Sequence, residues 1–393
     1  MRSYHFVAAC FALSLLVGAS AHAGELVRLA EWPVAAAADS WPAGQVMPAS
    51  AAVNVAQASA QETAPPADAW SAVPVPCGTA PCEDDCCFDF NVCCLPCRYF
   101  QADALLWHRV GTGCSETVVI DTNTNAPLLN TDDLTFDLAP GMRFLVGWQP
   151  DPCHGCQRCC AWELSYFGIF GWNGSDLVTG AGNLAVPGDL GLNTNNFFGA
   201  DLISTNYESD LHNIELNCVK SCCLCEDTRL DFLTGFRYIF LNDNFLLTAT
   251  DLQEGTSSYA VNANNNLLGP QLGGRLTHSW CNWAVELTGK AGVFYNFADQ
   301  HQTVTDFPNN NIIRDATGSG SSVAMLGEMS VMFIRPLDDY WSLRVGYSAL
   351  GLGGVALAPD QLDFTDTFAS GTGFHDSGFI FAHGATVGLQ RTW

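Results

Sequence analysis

AVELTGKAGVFY, residues 284–295, alternates with a period of two: Val285, Leu287, Ala291, Val293 and Tyr295 share one face, and Glu286, Thr288 and Lys290 share the other. A helix would place apolar residues at i, i+3, i+4 and i+7; this stretch does not, so it reads as a β-strand. RLDFLTGFRYIF (229–240) repeats the pattern, with Leu230, Phe232, Phe236, Tyr238 and Phe240 opposing Asp231, Gly235 and Arg237. Trp341, Leu343, Val345 and Tyr347 oppose Ser342, Arg344, Gly346 and Ser348, and Met142, Phe144, Val146 and Trp148 oppose Arg143 and Gly147. Trp162, Leu164, Tyr166, Phe170 and Trp172 oppose Glu163 and Ser165.

About ten such segments are expected, near 98–110, 139–149, 161–172, 207–218, 228–241, 267–280, 283–297, 322–336, 340–350 and 378–393, each long enough to cross a tilted path through a bilayer. Their connections alternate between short (149–161, 218–228, 280–283, 336–340) and long (110–139, 172–207, 241–267, 297–322, 350–378). Outer-membrane barrels show this asymmetry, with tight periplasmic turns and long outer loops. Tyr99, Trp148, Trp162, Trp280, Trp283, Tyr340, Trp341 and Trp393 border the short connections or the ends of the strand region, where an interfacial aromatic belt would lie. The fold expected is all-β: an antiparallel, up-and-down transmembrane barrel of about ten strands, or twelve if 113–139 holds a hairpin.

Composition fits two solvents. Hydrophobic residues make up 48% of the 393 and charged residues only 14%, against the ~25% of an ordinary soluble domain. Fifteen Lys and Arg against forty Asp and Glu give a net charge of −25, which excludes nucleic acid as a partner. Residues 1–23 read as a secretory signal: Arg2, an apolar run from Phe6 to Val17, then Ala21-His22-Ala23 before Gly24. Residues 24–76, rich in Ala and Pro, read as a flexible periplasmic tether, 77–97 as a Cys-rich segment, and 98–393 as the barrel.

FQADALLW (100–107), LVGWQPDPC (145–153), ELSYFG (163–168), NYESDLHNIELN (206–217), LTGFRYIFLND (233–243), LLGPQLGGRL (267–276) and VELTGKAGVFYN (285–296) resemble the planctomycete β-barrel porin family, over about 98–393. The resemblance implies an outer-membrane barrel, seated in outer-membrane lipid, with a transport role.

Cleavage after Ala23 removes Cys10 and leaves an odd number of cysteines in an oxidising compartment, so at least one is free, intermolecular or metal-bound. Cys94, Cys97, Cys153, Cys156, Cys159, Cys160, Cys218, Cys222, Cys223, Cys225 and Cys281 all map to the periplasmic rim. Their C-x-x-C spacings suit disulfides or a metal, and the compartment favours disulfides. Cys114 maps to the opposite side and is the candidate odd thiol.

The polar strand faces carry Asp103, Arg143, Glu163, Glu215, Asp231, Arg237, Arg275, Glu286, Lys290, Glu328 and Arg344, six acids against five bases. These are the candidate lumen lining. About ten strands enclose little free space, so the lumen is expected to be either a narrow pore for small solutes or ions, or a salt-bridged plug beneath partner-binding loops. No cofactor is expected. His375-Asp376-Ser377 lacks a nucleophile motif such as G-x-S-x-G, so no enzymatic activity is expected either. The alternating C-terminal strand ending on Trp393 is the expected contact for the barrel insertion machinery.

Overall fold

The structure, a computed structural model, describes residues 98–148, 161–193, 197–225, 227–307 and 311–393. The proposed signal, tether and Cys-rich segment lie outside the described residues. Twelve strands follow in order: β1 (Arg98–Val110), β2 (Thr117–Asp121), β3 (Pro127–Asn130), β4 (Ala139–Trp148), β5 (Ala161–Ala185), β6 (Phe198–Cys225), β7 (Thr228–Asp251), β8 (Gly255–Trp280), β9 (Trp283–Asp306), β10 (Asn311–Pro336), β11 (Trp341–Val355) and β12 (Gly378–Thr392). Ten of them form a closed antiparallel wall, in which β4 through β12 pair in chain order and β1 pairs with both β12 and β4. At the level shared by all ten strands closure leaves no edge unpaired, the condition for crossing lipid with strands. Among the described residues no helix is long and apolar enough to cross a membrane.

The expected hairpin within 113–139 exists as β2 and β3, but it is not part of the wall. Its ladder contact with the wall is made by Ile120 and Asp121 of β2, which pair with Ala185 and Leu184 at the far end of β5.

Six wall strands, β5 to β10, are far longer than the sequence pattern indicates. The expected ends at 241, 267 and 297 fall where the apolar residues change face, while the strands continue. On β7, Phe232, Phe236 and Tyr238 point outward; beyond Phe240, Leu241, Phe245 and Leu247 are buried inside, and Asn242 and Asn244 occupy the outer face. β8 does the same: Leu276, Leu272 and Leu268 lie outside, then Leu267, Ala263, Val261 and Tyr259 lie inside. A strand leaving lipid for water must move its apolar side chains from the outer face to the inner one, so the inversion marks the membrane boundary. Above it the outer face is a polar ladder, in which Asn242 donates to Asn264 (3.0 Å) and Asn264 to Asp299 (2.9 Å).

The lipid-facing belt runs on β9 from Trp283 to Tyr295. At ~3.3 Å per residue and ~40° tilt it is ~30 Å tall, the thickness of a hydrocarbon core. Trp162, Trp280, Trp283, Tyr340 and Trp393 are exposed at its short-turn border, with Trp148 and Trp341 half-buried. A second aromatic girdle closes the upper border, where the Tyr166 hydroxyl meets His212 Nδ1 (2.9 Å).

Two aromatic residues depart from the expected faces. Tyr99 does not belong to the belt: it points inward, only 4% exposed, and its hydroxyl donates to Glu163. Gly147 opposite it makes the room, since a Cβ there would lie 2.1 Å from the ring. Trp172 is fully buried rather than lipid-facing, because a bulge between Ile169 and Trp172 shifts the register by one face.

The face assignment is tested by charge insertion. Leu287→Arg, in the belt, should cost ~2–4 kcal/mol in reversible unfolding from vesicles. Leu246→Arg, also outward but above the inversion on β7, should stay within about 0.5 kcal/mol of wild type. Equal costs at both positions would move the membrane boundary.

Candidate functional site: the barrel interior

All eleven ionisable residues expected on the polar strand faces point into the barrel, where they form a network of two ion-pair clusters at the level of the lipid belt. Arg237, fully buried, donates to Glu215 and to Glu328 (2.6 Å). Lys290 reaches the same two carboxylates at 2.8 and 3.5 Å, and Arg143 lies 3.5 Å from Glu328. Around them, Arg275 binds Glu163 through two parallel hydrogen bonds (2.7 and 2.8 Å) and lies 3.7 Å from Asp231. Arg344 donates to Glu286 (2.9 Å) and to Gln390 of β12 (2.9 Å), and stands 4.0 Å from Asp103. Every strand of the wall contributes. Six acids and five bases nearly cancel, and hydrogen bonding at this density is what allows buried charge to persist. Both Asp103 carboxylate oxygens and Gln271 Oε1 are buried without a hydrogen-bond partner among the described residues.

Above the network the interior changes character. Trp107, Phe167, Ile169, Trp172, Leu211, Ile239, Leu241 and Leu326 form an apolar core with the segment 355–358, whose four residues are fully buried. That segment leaves the end of β11 and turns back inside the wall. Asn265 holds it with both ends of its amide, donating to the Ala356 carbonyl and accepting from the Ala356 N–H, each at 2.7 Å. Ala358 N–H reaches Asp243 (3.3 Å), which is fixed in turn by Arg109 (2.6 Å) beside the Tyr207 hydroxyl. Further along, Gln300 donates to the carbonyls of Gly371 (2.7 Å) and Gly373 (3.0 Å), and Arg314 to that of Asp363 (2.5 Å). The β1–β4 connection contributes Val118, Val119 and Leu129 from its β2–β3 hairpin, and Leu134 and Phe136 from the stretch before β4, to the same core, with Arg109 stacked 4.6 Å above the Phe136 ring.

A model of the family described as "Putative beta barrel porin-7" matches residues 100–393. The chain belongs to this family. No curated protein matches it. Among solved structures it is similar to the outer membrane protease OmpT from Escherichia coli, at 9% identity over 75% of this chain and 97% of that one, with a TM-score of 0.41. It is also similar to a major outer membrane protein from Thermus thermophilus (11% identity, 75% and 99% covered, TM-score 0.31) and to a Pseudomonas aeruginosa FadL homologue (8%, 75% and 90%, 0.25). The protein is an outer-membrane β-barrel.

In this porin-family barrel the acidic loop residues are committed to holding the loops. Asp363 accepts from the Thr365 N–H (3.0 Å), the Thr365 hydroxyl (2.6 Å) and the Gly371 N–H (2.8 Å). Partial burial pushes its carboxyl upward, but these bonds outweigh it and hold the group below the usual carboxylate range. Asp360 accepts from the Cys114 N–H (2.6 Å), while burial pushes its carboxyl upward. Asp132 accepts from Ser115 (2.7 Å), and Asp133 accepts from the Asn130 N–H (2.9 Å). His375 is engaged through its backbone, its N–H donating to Gln361 Oε1 (2.9 Å).

The described cysteines differ in state. Cys222 and Cys281 carry free thiols, as does Cys114. Cys222 points outward on β6 opposite Leu230 of β7, and Cys281 sits exposed in the tight β8–β9 turn. Cys218 is disulfide-bonded. Cys94, Cys97, Cys153, Cys156, Cys159 and Cys160 lie outside the described residues, and the side chains of Cys223 and Cys225 are likewise not described.

The sequence showed the charged half of this interior and missed the apolar half. Leu241, Leu267 and Phe294 were available as signals: each stands beside an apolar residue of the opposite face, a doublet where the phase inverts.

Arg237→Met leaves Glu215 with Lys290, and Glu328 with Lys290 and the more distant Arg143, and should cost ~3–5 kcal/mol. Combining it with Glu328→Gln should recover more than ~1 kcal/mol of the summed single costs. Strict additivity in chemical unfolding would mean that the charges act separately.

Proposed function

We propose that this barrel is a closed outer-membrane anchor, whose elongated β5–β10 ends and loops present a surface to partners outside the cell. The reading rests on one observation: the segment 355–358 is fully buried in an apolar core that spans the barrel above the ion-pair network. Two seals of opposite chemistry then stand in series. A hydrated solute would meet an apolar barrier first and a paired-charge barrier second.

A second reading, gated passage of small polar solutes or ions, draws support from the lower chamber. There Asp103 and Gln271 keep unused hydrogen-bonding capacity, and the loop above is held by side-chain hydrogen bonds that can exchange. Planar bilayers separate the two readings. Full-length folded protein should give no discrete conductance steps. Replacing 356–377 by a short Gly/Ser linker should leave it silent under the anchor reading, because the network still closes the lumen; discrete steps from that variant would establish gated passage instead. In both readings 1–23 is the export signal, so the N-terminus of protein recovered from outer membranes should be Gly24.

A further inference from the structure

At the seam where β1 meets β12, the outer face of the short-turn rim carries two guanidinium groups among three indoles. Arg98 stands opposite Trp148 of β4, and its carbonyl accepts from the Trp393 N–H (3.1 Å). Arg391 of β12 stands opposite Phe100 of β1 on one side and Trp341 of β11 on the other. Its guanidinium lies over the Trp341 and Trp393 rings, 5.5 and 5.6 Å from their centroids. Stacking of this kind fixes a guanidinium in place without neutralising it. Arg98 and Arg391 are diagonal neighbours on one face, a spacing of ~7–8 Å between backbones that lets two long side chains converge on one anion. Among the described residues neither forms an ion pair. Asp338, in the β10–β11 turn, is occupied by the Tyr340 and Trp341 N–H groups (2.8 Å each).

Directly toward the membrane from this pair the wall is apolar: Phe100 stacks on Phe144 (6.4 Å), flanked by the exposed Val146, Val345 and Leu389. The rim charge is equally one-sided. Every exposed Lys or Arg among the described residues (Arg98, Lys220, Arg335, Arg391) lies at the short-turn rim, whereas Arg109 and Arg314 at the other end are buried.

We infer that the β1–β12–β11 seam binds the phosphate headgroup of an anionic phospholipid in the periplasmic leaflet, with Arg98 and Arg391 on the phosphate and an acyl chain along Phe100 and Leu389. The three features a lipid presents together are an anion at headgroup depth, an interface and a hydrocarbon tail, and the seam meets each with a matching group. Free phosphate would use only the first.

Native mass spectrometry of the full-length barrel released from detergent tests this, with phosphatidylglycerol, phosphatidylcholine or inorganic phosphate added. Wild type should retain phosphatidylglycerol at a lipid concentration about tenfold below that needed by Arg98→Gln/Arg391→Gln, with Arg391→Gln alone intermediate. Phosphatidylcholine should not distinguish the proteins, and inorganic phosphate should neither form an adduct nor displace the lipid. Arg335→Gln, elsewhere on the same rim, should behave as wild type. Equal phosphatidylglycerol retention by wild type and the double variant would overturn the site. An equal loss in Arg335→Gln would overturn it in favour of diffuse rim charge, and displacement by inorganic phosphate would overturn the lipid as its occupant.

Discussion

A side-chain period of two, carried through two solvents by one continuous strand, governs this structure. The backbone ladder does not change between Trp283 and Asp306 of β9, yet the medium outside it changes from hydrocarbon to water. Each face therefore has to exchange its chemistry at the boundary, and the interior becomes apolar at the level where the exterior stops being so. The two halves of the interior, charged below and hydrophobic above, follow from that exchange.

A wall of ten strands also has to be filled. Below the boundary the inward residues are long and ionisable, and they reach one another across the lumen, so Arg237 and Lys290 span the space to Glu215 and Glu328. Above it Arg109 of β1 meets Asp243 of β7, and chain from outside the wall completes the core. The loop after β11 and the β2–β3 hairpin do this, and the polar groups they bring along are matched by inward amides such as Asn265 and Gln300.

The wall was legible in the sequence because lipid imposes a strict pattern. The alternation at 284–295 and 229–240, the ten strands and the inward charges were all readable from residue type alone. Three things were hidden, each for a physical reason. Strand length was masked by the phase inversion, which looks like the end of a pattern. The inward turn of Tyr99 depends on the bare backbone of Gly147 across the sheet, and the burial of Trp172 on a bulge; neither leaves a local mark. The core packing of 355–358 is a long-range event, set by where Asn265 and Asp243 stand on other strands.

The seam between β1 and β12 carries a further implication, for how the wall closes. Tyr99 pairs with Thr392 and Val110 with Phe381, so the two strands that seal the wall come from opposite ends of the described chain. Every other wall contact joins sequence neighbours, apart from β1 with β4, and can form as a hairpin. The encounter of β1 with β12 has by far the largest loop to close, so its entropic cost exceeds that of any hairpin in the wall. Opening starts from a closed wall: at the level shared by all ten strands, a strand gains a free edge only when a seam parts. Of these seams only β1–β12, with its twelve residue pairs, joins segments from opposite ends of the described chain, so once parted it has the longest loop to close again.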